Sequence, residues 1–171
     1  MMREKHNLLR GTVLGFGVLL AAASFFTAVK LNAGSPSPKT SEVTKSAGAL
    51  WHENFEEAAA LAKREKKPML LYFTGSDWCG WCKKLHAEVL DRPEFTKWAA
   101  ENVILVKLDF PRRKEQSEEI KKQNEELAGK YQVRGFPTVI LLNSRGREIA
   151  TTSYQPGGAA AYVTHLKSLL K

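Results

Sequence analysis

The first feature of the hydrophobic pattern is an uncharged, mostly apolar run from Gly11 to Val29. It follows a flank that carries Arg3, Lys5 and Arg10, and a basic flank before an apolar run is typical of a secretory leader or a membrane anchor. As a helix the run would extend about 28 Å, close to the hydrocarbon thickness of a bilayer. We therefore expect residues 1–33 to be a hydrophobic N-terminal helix, either a cleaved signal peptide or a membrane anchor.

A polar segment separates this run from the rest of the chain. Residues 34–49 are rich in Gly, Ser, Pro, Thr and Lys, which predicts a flexible linker and places the folded domain at 50–171. Because a basic flank stays on the cytoplasmic side, the domain is expected to be extracytoplasmic, in the periplasm or secreted. Residues 11–29 would tether it to the membrane if they are not cleaved.

Beyond residue 50, helical spacing of apolar residues alternates with short apolar runs. The predicted elements, in order, are a helix over 51–66, a strand over 68–74, a helix from Cys79 through Ala99, a strand over 103–109, a charged helix within 112–126, strands over 138–142 and 147–153, and a helix from Tyr162 to Leu170. Strands separated by helices imply parallel pairing, whereas the last two, joined by a tight turn, would pair antiparallel. The pattern predicts an α/β fold with a central mixed β-sheet flanked by helices on both faces.

Composition excludes several classes of protein. With 171 residues, 43% hydrophobic and 26% charged, the chain has the balance of one globular domain rather than a disordered or collagen-like protein. The net charge is +8, but the basic residues are interspersed with acidic ones and form no stripe with aromatic residues. No nucleic acid is therefore expected as a partner. Two cysteines are too few for a multi-disulfide scaffold.

The candidate chemistry lies in Cys79-Gly80-Trp81-Cys82, where a predicted buried strand gives way to a helix. Unpaired backbone N–H groups and the helix dipole at such a junction stabilise a thiolate and lower the pKa of the first thiol. The outer thiolate can then attack a disulfide, and the more buried second thiol can resolve the mixed disulfide. The spacing therefore favours a redox pair.

Other uses of the pair remain open on the residues alone. A purely structural disulfide would close a loop too short to stabilise the fold by much. Cys79, Cys82 and His86 could supply three zinc ligands, but a structural site takes four, and His52 and His165 have no ligand-like spacing. His86 itself could tune a thiol, bind a metal or simply lie on a helix face. We expect neither a metal nor a cofactor.

Two motifs in order give the chain a recognisable family resemblance. The first is the segment over 78–83, which follows Lys67-Pro68 and an apolar strand; the second is 131–138, Tyr-Gln-Val-Arg-Gly-Phe-Pro-Thr, which precedes two further strands. From about residue 51 to 171 the chain resembles the thioredoxin superfamily, and in particular exported bacterial thioredoxin-like proteins with a Cys-Gly-Trp-Cys site.

The resemblance implies a role for each matching position. Cys79 would be the attacking thiol and Cys82 the resolving thiol, the two being joined by a reversible disulfide. Pro137 would be cis and would leave the neighbouring backbone free to pair with an extended substrate segment. The implied substrate groove is lined by Trp78, Trp81, Phe136 and Pro137. Protein thiols or disulfides would be the substrates.

Three departures from the family pattern qualify these expectations. Thioredoxins place a buried Asp on the central strand beneath the cysteines, but residues 71–74 contain no acid, and Asp77 in the following turn is a weak substitute. Trp81 stands where thioredoxins have Pro, so the redox potential is not defined by analogy. Residues 110–126 form a longer charged insertion than thioredoxins have.

The sequence thus predicts an extracytoplasmic thiol–disulfide oxidoreductase acting on proteins. In an oxidising compartment a reducing role would need electrons from a membrane partner. Two alternatives stay open, a copper-binding thioredoxin-like chaperone and a redox-silent adaptor. Such copper chaperones usually separate their cysteines by three residues, and such adaptors often lack one cysteine.

Overall fold

Residues 44–46 and 49–171 are described by the computed structural model. In this part of the chain six strands form one mixed sheet in the order β1-β2-β4-β3-β5-β6. Their bounds are β1 Thr44–Ser46, β2 Ala49–His52, β3 Met69–Thr74, β4 Ile104–Asp109, β5 Thr138–Leu142 and β6 Glu148–Thr152. The predicted hydrophobic helix in residues 1–33 and most of the predicted linker lie outside the described residues.

Helices cover both faces of the sheet, as predicted. They are α1 Phe55–Glu65, α2 Gly80–Leu85, α3 Pro93–Asn102, α4 Glu118–Lys130 and α5 Gly158–Leu169, and a π-helical turn, His86–Leu90, continues α2. Asn54 and Ser117 cap α1 and α4, because their side-chain oxygens accept backbone N–H groups of Glu57 and Ile120. No helix in the described ranges is both long enough and apolar enough to span a bilayer.

The pairing of β5 corrects one expectation. β3 and β4 are parallel, as predicted, but β5 runs antiparallel to β3, with Thr138 opposite Phe73. The chain therefore enters β5 at the end of the sheet where β3 and β4 finish. A helical crossover gives parallel pairing only when it carries the chain back to the end where the previous strand began. Here the loop after α4 leads the chain again to the end where β4 finishes, so β5 runs in the opposite direction.

The predicted helix over 51–66 was wrong at its start. Trp51 lies in β2, where it pairs with Leu105 of β4, and α1 begins at Phe55. Trp51 is 4% exposed and packs on Tyr72 with ring centroids 5.8 Å apart. The sheet also extends upstream of Leu50, because Thr44 in the segment predicted as a linker pairs with Trp51.

Two apolar layers cover the sheet, one on each face. β3, whose residues are all buried, contributes side chains to both layers. Alternation along the strand sends Leu70 and Tyr72 to one layer and Leu71 and Phe73 to the other. The first layer includes both cysteines together with the buried face of α5. The redox candidates are thus built into the core at the carboxyl end of the central strand.

Candidate active site

Cys79 and Cys82 form a disulfide at the start of α2. Cys79 is the N-cap residue, and its backbone N–H donates to the carbonyl of Gly75 at 2.8 Å, which closes the turn after β3. The outer cysteine is 6% exposed and the inner one 1%. Access to the pair is therefore through Cys79.

The backbone at the helix start is directed at the outer sulfur. The Sγ of Cys79 accepts the backbone N–H of Cys82 at 3.1 Å. Once the disulfide is reduced, this N–H and the positive end of the helix dipole favour a thiolate on Cys79. The inner sulfur has no comparable position, because it lies within the first helical turn.

A neutral phenol lies beneath the pair, on the strand where the family would place a carboxylate. The hydroxyl of Tyr72 donates to the carbonyl of Cys82 at 3.3 Å. Burial raises the pKa of Tyr72 to about 12, so the phenol keeps its proton at neutral pH. The missing acid is evident from residues 71–74, but nothing in the sequence identifies Tyr72 as the group that contacts Cys82.

Asp77 does not take the place of the missing acid. Its carboxylate accepts the backbone N–H groups of Arg112 and Arg113, at 3.1 and 2.7 Å. Partial burial would raise the pKa of Asp77, but these hydrogen bonds outweigh it and lower the pKa. Asp77 is therefore an attachment point for the loop after β4.

Trp78 forms one wall of the site. Its indole N–H donates to the carbonyl of Phe110 at 2.8 Å, and its ring meets Phe136 edge to face at 5.8 Å. Gly75 lies directly beneath the ring, so that a Cβ there would be 2.6 Å from the indole nitrogen. Trp78, which was predicted to line the substrate groove, is thus held in one orientation by three neighbours.

Trp81 forms a second wall of the site and is 58% exposed. Its ring packs against Tyr154 at 5.5 Å, and the ammonium of Lys84 lies 5.3 Å from both ring centroids. The hydroxyl of Tyr154 donates to the carboxylate of Glu88 at 2.5 Å. Sequence reasoning missed Tyr154, which reaches the site only because β6 pairs with β5.

Trp81 borders an open groove of about 330 Å³, which is lined by Trp81, Phe136, Pro137, Ser153 and Tyr154. The Phe136–Pro137 peptide bond is cis, and the carbonyl of Pro137 accepts the hydroxyl of Ser153 at 2.7 Å. The structure therefore brings together Trp81, Phe136 and Pro137 in one groove, and Trp78 adjoins it through its ring contact with Phe136. Phe136 and Trp78 also pack against the apolar layer that contains both cysteines.

The histidines considered as ligands lie apart from one another. His86 packs edge-on against Tyr72 at 5.3 Å, with its Nδ1 3.5 Å from a carboxylate oxygen of Asp91. His165 hydrogen-bonds Thr152 at 2.9 Å, and burial lowers the pKa of His52. Within the described residues no group of three or more ligand-type side chains is arranged to hold a metal.

A disulfide at a strand–helix junction on this sheet, together with a cis-proline after Phe136, defines the thioredoxin-fold class of thiol–disulfide exchange proteins. Residues 55–165 match the family described as thioredoxin-like domain. The chain belongs to that family.

Similar proteins of known name belong to the same class. The chain is 41% identical over 125 residues to a disulfide bond reductase, DsbH, of Chlamydia pneumoniae, covering 73% of this chain and 75% of that protein. It is 34% identical over 119 residues to the thioredoxin-related protein DsbJ of the same organism, covering 70% of this chain but only 34% of DsbJ. A solved structure of DsbH oxidoreductase superposes with a TM-score of 0.70 at 37% identity, covering 78% of this chain and 94% of that one. With its cysteine pair, the protein is a thiol–disulfide oxidoreductase.

Proposed function

We propose that the protein reduces disulfide bonds in extracytoplasmic proteins, with Cys79 as the attacking thiol and Cys82 as the resolving thiol. The observation that carries this proposal is the backbone N–H of Cys82 directed at the Sγ of Cys79 at 3.1 Å. The reducing direction is supported by the similarity to a protein named as a disulfide bond reductase.

The exchange proceeds in two balanced steps. The Cys79 thiolate attacks one sulfur of the substrate disulfide, so that a mixed disulfide forms and the other substrate sulfur leaves as a thiolate, which takes up a proton. Cys82 then loses its proton and attacks the Sγ of Cys79. The mixed disulfide breaks, the Cys79–Cys82 disulfide forms, and the substrate is released with both sulfurs reduced. Two electrons have passed from the pair to the substrate.

The groove beside the disulfide would hold the substrate during this exchange. An extended segment would lie along Pro137, and Trp81, Phe136 and Trp78 would contact its side chains. Half-exposed aromatic rings supply much apolar contact area while losing little conformational entropy. The same surface would receive the partner that restores the dithiol, which we propose to be a reduced dithiol protein at the membrane.

Insulin reduction tests the catalytic assignment. Wild-type protein with a chemical reductant should accelerate the precipitation of insulin chains. Cys79→Ser should abolish that acceleration. In a separate reaction without added reductant, pre-reduced Cys82→Ser should accumulate a mixed disulfide with insulin that dissociates when reductant is then added. Wild-type activity in Cys79→Ser would contradict the assignment, and an inactive but folded wild type would favour the adaptor alternative.

Cell fractionation of the full chain tests the location. We expect residues 1–33 to direct the domain out of the cytoplasm, so the protein should be found either in the membrane fraction or, shortened, in the soluble extracytoplasmic fraction. The first result would identify an anchor and the second a cleaved signal peptide. Full-length protein in the cytosol would contradict the proposed location.

A further inference from the structure

The charged loop after β4 is attached to the active-site wall at several points. Trp78 donates its indole N–H to the carbonyl of Phe110 at 2.8 Å. The carboxylate of Asp77 accepts the backbone N–H groups of Arg112 and Arg113. Because Asp77 and Trp78 immediately precede Cys79, the position of this loop is coupled to the residues next to the outer sulfur.

This attachment places an exposed cation over Trp78. The guanidinium carbon of Arg112 lies 4.0 Å from the centroid of the indole ring, a stacking distance at which cation and ring attract. A stacked guanidinium keeps its N–H donors free at the edge, where they can bind a carboxylate in a bidentate manner. The Asp77 carboxylate is occupied by backbone groups, and no carboxylate of the described residues forms an ion pair with Arg112.

A second cation contacts the segment that precedes Cys79. The ammonium of Lys83 donates to the backbone carbonyl of Asp77 at 3.0 Å. We call Arg112 and Lys83 the cationic rim. Lys84 adds less charge, because Glu88 lies 3.8 Å from its ammonium. The unpaired positive charge at the site is therefore concentrated near Asp77 and Trp78, the two residues before Cys79.

We propose that the cationic rim selects substrates whose reactive disulfide is flanked by acidic side chains, with a substrate carboxylate bound by the guanidinium of Arg112. This inference rests on the proposed function and specifies its substrate class. It also gives the charged insertion a role in substrate recognition. Charge complementarity at an open rim acts mainly on the rate of productive encounter and is screened by salt.

The test uses three disulfide-bridged peptides that are identical except for Glu, Gln or Lys beside the cysteines. The reduced full-length protein is mixed with each peptide, and the second-order rate constant is measured at low and at high salt. We expect the Glu peptide to react about fivefold faster than the Lys peptide at low salt. At about 1 M salt the Debye length is about 3 Å, and the difference should largely disappear.

Two variants separate recognition from other effects. Arg112→Gln keeps a planar group over Trp78 and should lower the ratio of the Glu-peptide rate to the Lys-peptide rate, with Lys83 contributing the preference that remains. Arg145 lies in the turn between β5 and β6, at the end of the strands away from the cysteines. Arg145→Gln should therefore keep the preference. Equal rates for the Glu and Lys peptides in the wild type, or an unchanged preference in Arg112→Gln, would overturn the proposal.

Two further outcomes are distinguishable. An equal loss of rate with all three peptides in Arg112→Gln would mean that the charge acts on the Cys79 thiol, and it would overturn selection by the rim. No reduction of any peptide by the wild type would overturn the proposed function itself.

Discussion

Tyr72 donates a hydrogen bond to the carbonyl of Cys82 from the fully buried face of the central strand, at 3.3 Å. The same carbonyl also accepts the backbone N–H of His86, so the phenol is a second donor that holds the first turn of α2 against the sheet. Cys82, the proposed resolving cysteine, is therefore positioned by a neutral group.

Removing this hydroxyl should destabilise the oxidised protein modestly. Tyr72→Phe keeps the ring and its contacts with Trp51 and His86 but loses one hydrogen bond, so we expect the free energy of unfolding to fall by about 1 kcal/mol. Urea denaturation without reductant measures it. Tyr162→Phe is the matched control, because that hydroxyl also donates to a backbone carbonyl, of Ser153 at 3.1 Å. A loss above about 3 kcal/mol would mean that the ring itself had moved.

The buried phenol also predicts how stability depends on alkaline pH. The pKa of Tyr72 is raised by burial from 10.0 to about 12, so the folded protein holds this proton more tightly than the unfolded chain does. Its stabilising effect is complete below pH 10 and is lost as the pH rises through about 12. Tyr72→Phe should therefore lose less stability than wild type between pH 9 and pH 11.5 in urea denaturation. Parallel losses would refute a raised pKa at this residue.

Gly75 should not tolerate a side chain. A Cβ there would lie 2.6 Å from the indole nitrogen of Trp78, so Gly75→Ala must displace the ring and weaken its bond to Phe110. We expect a loss of about 1–3 kcal/mol in unfolding free energy and a change in tryptophan fluorescence. Gly129→Ala is the control, since a Cβ at Gly129 meets nothing within 4 Å and alanine favours the helix. Unchanged stability in Gly75→Ala would contradict the described position of Trp78.

The Asp77 attachment should weaken in acid. Partial burial opposes ionisation, but the backbone N–H groups of Arg112 and Arg113 hold the pKa of Asp77 below its ordinary 3.8. The folded protein therefore binds this proton less readily, and the stabilisation present above pH 3.8 is lost as the pH falls through the lowered value. Asp77→Asn should be less stable than wild type at pH 6, and the gap should shrink below pH 3.8. A gap that stays constant with pH would exclude the carboxylate charge as its cause.

Local pattern was sufficient for part of this architecture. The apolar runs that became β3, β4 and β5 are too short for helices, and the cysteine spacing together with the motif around Pro137 predicted the family. The direction of β5 was not predictable in the same way, because it depends on where the loop after α4 meets the sheet. Likewise, nothing near Tyr154 in the sequence signals that β6 delivers it to Trp81.

Trp51 shows why a periodic pattern can mislead at an element boundary. Its spacing to Phe55 and Ala58 fits a helix, but a buried strand residue just before a helix gives the same spacing. The Asn54 cap, whose side chain accepts the N–H of Glu57, separates the two elements. Trp51 is in a strand because it pairs with β4, which is more than 50 residues away in the sequence. A local sequence pattern cannot show this pairing.

The same residue supplies a test of whether β2 belongs to the folded core. Trp51 is 4% exposed and packs on Tyr72, whereas its neighbour Leu50 is 44% exposed. Truncation of a buried tryptophan leaves a large cavity, so Trp51→Ala should lower the unfolding free energy by about 3–5 kcal/mol. Leu50→Ala, on the exposed face of the same strand, should change it by no more than about 0.5 kcal/mol. Because Tyr72 lies between Trp51 and Cys82, the tryptophan variant should also alter the equilibrium of the disulfide with glutathione. Equal, small effects of both substitutions would show that β2 contributes nothing to the core beneath the active site.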